Sequence, residues 1–544
     1  MAIELVCELA LADGTERFSL AGVTGETKFY EPRILRFGDF SVDVPEIPGD
    51  ARMSGTSVAL DDADRRFSKS KSDNVYKNVS FRWLAGDFSL GESSITEVFC
   101  GRVDNYSGGR GVFELKISQT SFPKFSRSLT GKMNRIIFPD IEDETSLRLV
   151  PWLTGEITSE RVSNVGAVPA YRIDPAVSQS KYRYVAAQGA IKLIKNTYTY
   201  GVKNTSGVTV TTATYDGVTY SVIDYDADPL TATRRNENEV SWDGTGTTDD
   251  ASATGDDITN PARQFEAFLL NNGFVSGDLN SASFTEAEAR FAERGIVGGV
   301  CIVGDGSETV REVVETFTNS FNMYVYPAQD GKLAISASES PPSDTSGLQT
   351  LKQHEIALGS FSFKGTRSYA SKIAYGFQKN HVSGVYEDSS SFEQAAQTSK
   401  LGEVIEAKPL ELDYVRLNSV ASLISQDRLF FMAEQRQIVE VLVDPSRYAD
   451  FKVGDQILFS HNDGISTGDG GYDAVAFQVI GFGFSFVGEG VALLSLKLVD
   501  LIAADFSPEG FDHQFETVLH TNVRTGTPQA LPGMTRVPQR FNAA

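Results

Sequence analysis

Residues 436 to 500 alternate between apolar and polar side chains over successive short segments, and this pattern restricts the fold more than any other feature of the chain. A period of two places one face of an extended strand in a core, whereas a helix needs a period of about 3.6. The turn Val453-Gly454-Asp455 separates two segments, and glycines interrupt the aromatic segment AFQVIGFGFSF. The pattern is carried by Ile438, Val439, Val441, Val443, Phe477, Val479, Leu494, Leu496 and Leu498. We therefore predict an antiparallel β unit that curls at its glycines and contains no reaction centre.

The length and the aromatic content extend this prediction to the whole chain. A chain of 544 residues exceeds what one hydrophobic core normally serves, so several domains are expected. The 35 Phe and 19 Tyr, against 6 Met, favour β structure because flat rings pack well on a pleated surface. The predicted fold class is mainly β and multi-domain, with two small antiparallel β-barrel-like domains, an α+β domain in the middle and a β-rich insertion.

Changes of pattern along the chain give the domain boundaries. They divide it into a β-barrel-like domain at 1–121, a connector at 122–160, a β-rich insertion at 161–257, an α+β domain at 258–340, mixed strands with a long helix at 341–435, the C-terminal part of a second β-barrel-like domain at 436–502, and an extended arm at 503–544. In the first domain we expect a hairpin at Ala12-Asp13-Gly14, another at Ser107-Gly108-Gly109, and Trp83 in the core. The arm contains several prolines and is expected to dock on a neighbour.

A helical period begins after residue 257. Asn260 is a predicted N-cap and Pro261 the first residue of a helix that stops at Asn271-Asn272-Gly273. A second helix is expected over 285–293. A long helix is expected over 417–434.

A third helix of the α+β domain is expected after Gly306, with Ser307 as its cap. Its predicted buried stripe consists of Val310, Val313, Val314, Phe317 and Phe321. A hairpin with Asp330-Gly331 as its turn follows directly. Helix and hairpin together form a compact α+β unit.

The net charge of −23 argues against a grip on nucleic acid, because phosphate binding needs clustered Lys and Arg. Lys124, Arg127, Lys132 and Arg135 alternate with phenylalanines, a pattern that can bind single strands but is assigned here to a solvated connector. The sequence contains no run of about 20 apolar residues, so no membrane-spanning segment is predicted. The acidic start of the chain does not resemble a signal peptide. An acidic surface would suit a passage through which DNA slides without sticking.

Two glycine- or aspartate-rich segments have the residue types of ligand sites. Gly304-Asp305-Gly306 precedes a helix as a phosphate loop would, but the remaining positions of a nucleotide motif are missing, so a tight turn is predicted. Asp224, Asp226 and Asp228 have the spacing that opens a calcium loop. Pro229 occupies the position where such a loop needs glycine, so no metal is expected.

Four further patterns contain residue types that occur in functional sites. The G-x-S-x-G at 464–468 lacks the strand-to-helix context of a hydrolase nucleophile, and acidic clusters such as Glu312 with Glu315, or Asp61, Asp62 and Asp64, are common in an acidic chain. Aromatic residues that could form a carbohydrate-binding surface are Trp152, Trp242, Tyr198 and Tyr200. Cys7, Cys100 and Cys301 are far apart in the sequence, as are the five His, which disfavours zinc. We therefore predict no catalytic, cofactor-binding or metal-binding residue, no cofactor and no enzymatic activity.

The order of elements resembles that of the baseplate or tail-tip hub proteins of tailed bacteriophages, over most of the chain up to about residue 502. The resemblance is carried by SGTSVALDDADRRF with VFCGRVDNY, by DDITNPARQFEAFLLNNGF, by SETVREVVETFTNSFNMYVYPAQDGKLAIS, and by FKVGDQILF, FQVIGF and LLSLKLVD. It implies a virion protein at the tail tip, assembled in the host cytoplasm. It also implies a homotrimer whose two β-barrel-like domains alternate in a ring around the DNA channel and join the hexameric tail tube to the threefold tip.

The same resemblance implies the partners. They are the distal tail protein and the tail-tube ring above, tip or fibre proteins below, and the tape measure protein, without specific nucleic-acid binding. Two alternatives remain open: a hexameric distal tail protein, and a cell-envelope carbohydrate-binding protein or glycosidase. The second would need a concave site with convergent carboxylates or aromatic residues.

Overall fold

The computed structural model of the chain is mainly β, with several sheets and a few helices, which confirms the predicted fold class. In the part that it describes, no helix is both long and apolar enough to cross a membrane. The arm predicted at 503–544 lies outside the described residues. These are 4–11, 14–25, 27–44, 52–53, 56–69, 76–77, 79–86, 88, 96–118, 122–139, 141, 145–159, 166–174, 182–227, 229, 240–249, 255–338, 345–365, 369–433, 436–448, 450–463, 471–486 and 492–501.

Strands account for most of the elements. In chain order they are β1 (Glu4–Leu11), β2 (Gly14–Ser19), β3 (Val23–Thr24), β4 (Phe29–Pro32), β5 (Ile34–Phe37), β6 (Phe40–Asp43), β7 (Arg52–Met53), β8 (Thr56–Asp61), β9 (Ser80–Gly86), β10 (Thr96–Gly109), β11 (Val112–Ser118), β12 (Trp152–Thr154), β13 (Glu156–Ile157), β14 (Val168–Pro169), β15 (Tyr171–Asp174), β16 (Tyr182–Gln188), β17 (Leu193–Thr199), β18 (Val202–Lys203), β19 (Val208–Tyr215), β20 (Val218–Tyr225), β21 (Val240–Thr245), β22 (Val300–Ile302), β23 (Met323–Pro327), β24 (Leu333–Ala337), β25 (Thr350–Lys352), β26 (Ser362–Gly365), β27 (Lys372–Lys379), β28 (Tyr386–Glu393), β29 (Leu410–Glu411), β30 (Gln437–Val443), β31 (Gln456–His461), β32 (Tyr472–Phe486) and β33 (Ala492–Asp500).

The helices lie mainly in the middle of the chain. They are α1 (Arg66–Lys69), α2 (Pro261–Asn271), α3 (Ser281–Glu293), α4 (Val310–Phe321), α5 (Ala395–Leu401), α6 (Asn418–Ala433) and α7 (Pro445–Tyr448), with short 3₁₀ turns at Phe122–Ser126, Ser276–Asp278 and Gln353–Glu355. α6 confirms the long helix predicted over 417–434.

The first large sheet has the strand order β3-β4-β2-β1-β9-β10-β11-β8-β5. β1 and β2 form the predicted hairpin, with Cys7 opposite Phe18, and β1 pairs with β9 on its other side. Trp83 in β9 is fully buried, as predicted, and its ring lies 5.4 Å from that of Phe37 and 5.6 Å from that of Phe99. These aromatic contacts form the centre of the N-terminal core.

The hairpin β10–β11 turns later than predicted. Arg110 and Gly111 have φ angles of 55° and 79°, and they connect strands whose last pair is Gly109 with Val112. The expected turn at Ser107-Gly108-Gly109 is therefore wrong. Two residues with positive φ suit a tight hairpin, and the glycine pair before them continues the strand.

The second large sheet has the strand order β25-β31-β32-β33-β30-β26 and contains the closing stretch of the chain. β30 to β33 pair antiparallel, with Val441 opposite Leu496 and Val479 opposite Leu498, which confirms the predicted β unit. β25 runs parallel to β31, and β26 is antiparallel to β30. Within the described residues, neither large sheet returns to its first strand.

Strand β6 belongs to the N-terminal part of the sequence but pairs with β32 of the second sheet. Phe40 lies opposite Phe484, and its ring centre is 4.7 Å from that of Phe99 in the first sheet and 6.5 Å from that of Phe482 in the second. One continuous hydrophobic cluster accordingly contains buried residues of both sheets. The two sheets share a core.

Two glycines of β32 make room for β6. A Cβ atom on Gly483 would lie 2.2 Å from the carbonyl oxygen of Phe40, and one on Gly481 would lie 2.8 Å from that of Val42. Their φ angles lie outside the left-handed region, so only space demands glycine here. The glycines that the sequence assigned to bends thus permit the close approach of another strand.

Helices α2, α3 and α4 form a second core with the hairpin β23–β24. The side chain of Asn260 accepts a hydrogen bond from the Ala262 amide at 3.0 Å, and Pro261 begins α2, as predicted. α3 starts at Ser281, ahead of the predicted 285, because Asn280 caps it by accepting from the Ser283 amide.

α4 starts at Val310, and the predicted cap Ser307 is wrong. Thr309 is the N-cap, and its amide donates to the Glu312 carboxylate at 2.7 Å while its hydroxyl accepts from the Glu312 amide. Because this reciprocal capping box already caps the first turn of α4, Ser307 does not serve as the N-cap, and its amide donates to Asp305. The stripe predicted for this helix is buried throughout.

The hairpin β23–β24 is wedged between the two large sheets. At its turn, confirmed at Asp330-Gly331, a Cβ atom on Gly331 would lie 2.7 Å from the Cβ of Cys100 in β10. On the other side, a Cβ atom on Gly454 would lie 2.0 Å from the Ser336 hydroxyl oxygen in β24. Since both glycines have positive φ, close packing and backbone conformation both require them.

The remaining sheets are smaller. β12 pairs with β22; β13, β21, β17 and β18 form one sheet, with β14 also on β21; β15, β16, β20 and β19 form another; and β28, β27 and β29 form a third. β12 and β13 precede residue 161, yet β13 pairs with β21 of the predicted insertion and β12 pairs with β22 of the predicted α+β domain. The predicted connector is therefore paired with both.

Candidate interaction surfaces

The glycine loop before α4 binds a carboxylate of its own chain. The amides of Asp305 and Gly306 donate to Glu308 at 3.1 and 2.9 Å, and a Cβ atom on Gly304 would lie 2.0 Å from the same carboxylate. Hydrogen bonds from Ser307 hold the pKa of Asp305 below its ordinary value. Glu308 therefore fills the position that a phosphate would take in a nucleotide loop.

The first aspartate of the calcium-like segment is used in an internal ion pair. Asp224 is buried and forms a two-pronged ion pair with Arg183 at 2.7 and 2.9 Å, and Asp228 lies outside the described residues. In the described part of the chain, no group of three or more His, Cys, Asp or Glu side chains could hold a metal ion. Asp224 thus neutralises an arginine.

Four of the five other acidic candidates have local partners, and Glu315 is exposed on α4. Glu312 closes the capping box of α4, Asp62 accepts from the Phe67 amide at 2.8 Å, and Asp64 pairs with Arg33 at 2.7 Å. Asp61 accepts from the Ala63 amide at 3.0 Å. The G-x-S-x-G at 464–468 lies outside the described residues.

The aromatic residues considered for sugar binding pack internally. Trp242 is fully buried and Trp152 is 9% exposed. Tyr198 donates its hydroxyl hydrogen to Asp243 at 2.9 Å, and burial together with that carboxylate raises its pKa to about 12. Tyr200 is partly buried against the hydrophobic cluster that contains Trp242. A sugar platform needs an exposed aromatic face, which these side chains do not offer.

One cation and two phenylalanines of the basic connector are occupied within the chain. Lys124 forms an ion pair with Asp278 and lies 5.1 Å from the ring centre of Phe274. Phe125 and Phe138 are buried, so they are not available for stacking on bases.

The three cysteines are free thiols. Cys7 and Cys301 are buried and Cys100 is half-buried. Burial raises the pKa of all three, that of Cys100 to about 11. At neutral pH they are therefore protonated and unreactive.

Three strands at sheet ends expose apolar side chains. Among the described strands, β26 pairs only with β30; all four of its residues are exposed, and Phe363 in it is 44% exposed. β5 is an end strand of the first sheet, and Leu35 in it is 52% exposed. β19 is an end strand over eight residues and exposes Val210. Such edges present unpaired backbone N–H and C=O groups on which another chain can continue the sheet.

Comparison with known proteins gave structural neighbours only. No family model and no curated protein match the sequence. Among solved structures, the 43 kDa tail protein of prophage MuSo2 from Shewanella oneidensis is 9% identical with a TM-score of 0.40, covering 92% of this chain and 98% of that chain. A tail protein from Neisseria meningitidis MC58 is 9% identical with a TM-score of 0.38, covering 91% of this chain and 96% of that chain. A chain from the virion of a native gene transfer agent particle is 12% identical with a TM-score of 0.39, covering 69% of this chain and 89% of its own.

These neighbours are phage tail proteins and virion components. Each identity lies below 25% and each TM-score below 0.5. The likeness by itself therefore assigns no function to this chain.

Proposed function

We propose that this chain is a structural protein of a phage virion, a baseplate or tail-tip hub without a catalytic role. In this proposal three copies form a ring that joins the hexameric tail tube to the threefold tip and surrounds the DNA channel. The observation that carries the proposal is strand β6, which pairs with β32 in the second sheet while Phe40 packs on Phe99 in the first. We assign the two large sheets to the two β domains of the hub, and the pairing of β6 supports a fixed relation between them.

A fixed pair of β domains suits a symmetry adaptor. Three chains with two domains each present six β domains to a sixfold tube while the ring itself stays threefold. A flexible linker between the two β domains would make the positions of the six domains around the ring irregular, whereas a shared hydrophobic core keeps them fixed. The wedged hairpin β23–β24 further restricts movement between the sheets.

Ring closure requires two different surfaces on each chain. A head-to-tail contact around a threefold axis joins one surface of a copy to another surface of the next. The β5 edge with Leu35 and the β26 edge with Phe363 provide such a pair on different sheets. We assign them to the contact between copies. The net charge of −23 suits a channel that DNA must leave without sticking.

The partners follow from this position. The distal tail protein and the tail-tube ring would lie above the hub, and tip or fibre proteins below it. The tape measure protein would end at the channel. The expected location is the tail tip of the virion, after assembly in the host cytoplasm.

Native mass spectrometry of the purified full chain tests the proposal. We expect a species of three times the chain mass of 59.2 kDa, alone or with tail-tube protein. A hexamer would favour the distal tail protein, and a monomer at high concentration would count against any ring. Turnover of peptidoglycan or polysaccharide would overturn a purely structural role.

A charge on one edge strand tests the assignment of the surfaces. Phe363→Lys should abolish the trimer, because a lysine at the centre of a sheet edge opposes further pairing. Val404→Lys is the matched control, since Val404 is also 44% exposed but lies outside both edges. A trimer that survives Phe363→Lys, or is lost equally in both variants, contradicts the assignment.

A further inference from the structure

A cleft of about 240 Å³ opens where the first sheet, the hairpin β23–β24 and the second sheet meet. Glu97 lines it from β10, Asp330 from the hairpin turn, and Phe482 from β32. Asp450 and Lys452 line it from the segment before β31. The cleft thus lies at the junction that holds the two β domains together.

The lining of the cleft has more carboxylates than ammonium groups. It contains three carboxylates and the Lys452 ammonium group, which is paired with Glu286 at 3.3 Å. Glu97 is paired with Arg82 at 3.0 Å and Asp330 with Lys332 at 3.4 Å, so Asp450 supplies the carboxylate that has no ion pair among the described residues. Burial and the nearby charge of Asp330 raise the pKa of Glu97, although Arg82 acts in the opposite direction. Asp450 is exposed and makes no hydrogen bond or ion pair within the described part of the chain. A cation would be favoured at this position.

Tyr326 supplies an independent indication of a ligand. It lines the cleft from β23 and is only 2% exposed, yet its hydroxyl has no hydrogen-bond partner among the described residues. Tyrosine hydroxyls in buried side chains usually have a hydrogen-bond partner. A donor that enters the cleft would supply that partner.

The chemistry of the lining restricts the cation. The carboxylates are not grouped closely enough to hold a metal ion in the described residues, and the volume exceeds that of one or two waters. Ala328, Ala334, Phe451 and Phe482 give the cleft apolar walls. An apolar stem with a planar cationic end that carries several N–H donors matches both the walls and the separated acceptors.

We infer that this cleft binds an arginine side chain presented by a partner protein. The stem packs along Phe451 and Phe482, and the guanidinium donates to Asp330 and Asp450 and to the Tyr326 hydroxyl. The inference goes beyond the proposed ring and rests only on the residues of the cleft.

Isothermal titration calorimetry with the full-length protein tests it. The probe is arginine blocked as N-acetyl and N-methylamide, and the control ligand is the equally blocked citrulline, which has nearly the same shape but no charge. We expect a dissociation constant on the order of a millimolar for the arginine compound. Binding of both compounds alike, or no heat at all up to about ten times that concentration, overturns the inference.

Two variants locate the binding site. Tyr326→Phe removes a hydroxyl without a partner and keeps the packing, and Asp450→Asn removes an exposed charge, so both should fold. Each should weaken arginine binding roughly five- to tenfold, since each loses one hydrogen bond to a charged group. Asp473→Asn, an exposed carboxylate elsewhere on β32, should leave binding unchanged. Unchanged binding in both cleft variants would refute the site. If Tyr326→Phe failed to fold, Asp450→Asn would still decide.

Discussion

Replacing Gly483 with alanine is expected to loosen strand β6 from the second sheet. The new Cβ atom would lie 2.2 Å from the Phe40 carbonyl oxygen and 2.9 Å from the Cα atom of Ser41, both of which are backbone atoms. Ordinary contact begins at 3.4 Å, so a shift from 2.2 Å requires β6 to move by about 1.2 Å. Such a shift lengthens the ladder hydrogen bonds beyond their effective range.

The cost follows from what β6 buries. Overpacking of this kind costs about 1–3 kcal/mol when the neighbour can yield. Complete detachment would expose Phe40, Val42 and Val44, each less than 5% exposed, at roughly 1.5–3 kcal/mol per side chain. The strand should therefore shift and remain attached. A destabilisation of about 2 kcal/mol raises the population of the locally open state, and with it the rate of hydrogen exchange, roughly 30-fold.

Hydrogen exchange measured by mass spectrometry on peptides that cover 40–44 checks this magnitude. Gly481→Ala should accelerate exchange less, because its Cβ atom would lie 2.8 Å from the nearest oxygen. Gly109→Ala is the matched control, a strand glycine whose Cβ atom would meet nothing within 4 Å. Equal exchange of residues 40–44 in all three variants, or an order other than 483, 481, 109, would refute the reasoning.

Two further outcomes are expected. Gly331→Ala should speed chemical labelling of the Cys100 thiol, because the new Cβ atom pushes the hairpin β23–β24 away from β10. Gly384→Ala is the control and should not change the labelling rate, because Gly384 has a similar positive φ but its Cβ atom would have no neighbour within 4 Å. Equal labelling rates in a thiol titration would contradict the close packing of the hairpin on β10. Burial alone would raise the pKa of Glu8, but hydrogen bonds from Arg82 and Tyr30 outweigh it and lower that pKa. The Glu8 carboxylate therefore stabilises the fold at pH values above its unfolded-state pKa of about 4.3. This stabilisation is lost as the pH falls through the folded-state pKa. The difference in unfolding free energy between the native chain and Glu8→Gln should accordingly be largest above pH ~4.3 and shrink in acid, and a difference independent of pH in urea unfolding would contradict this assignment.

Local elements were predictable from the sequence because their signals are local. Asn260 followed by Pro261 marks the start of α2, and the period-two segments after residue 436 mark β30 to β33. The errors are also local. Thr309 with Glu312 forms the capping box in place of Ser307, and the hairpin turn lies at Arg110-Gly111 because the register that pairs Tyr106 with Leu115 keeps Gly108 and Gly109 within the strand.

Partners over long sequence distances were not predictable. A period of two says which face of a strand is buried but not which strand lies beside it, so nothing in Phe40–Asp43 indicated pairing with β32. Gly483 and Gly481 carried a signal, since glycine within a strand often marks a close approach of backbone, but the approaching strand was unknown. The cleft was not predictable from the sequence for the same reason, because Glu97, Asp330 and Asp450 come from three distant segments.

The pairing of Phe40 with Phe484 also means that β6 is synthesised long before its partner strand β32. A ribosome adds about 5–20 residues per second, so β6 leaves the exit tunnel roughly 20 to 90 seconds before its partner strand exists. During that interval the first sheet must hold Phe40 and Val42 without their cover. Chaperones that bind exposed apolar strands have their longest opportunity at this point, and nascent chains cut short before β32 should be the species that aggregate.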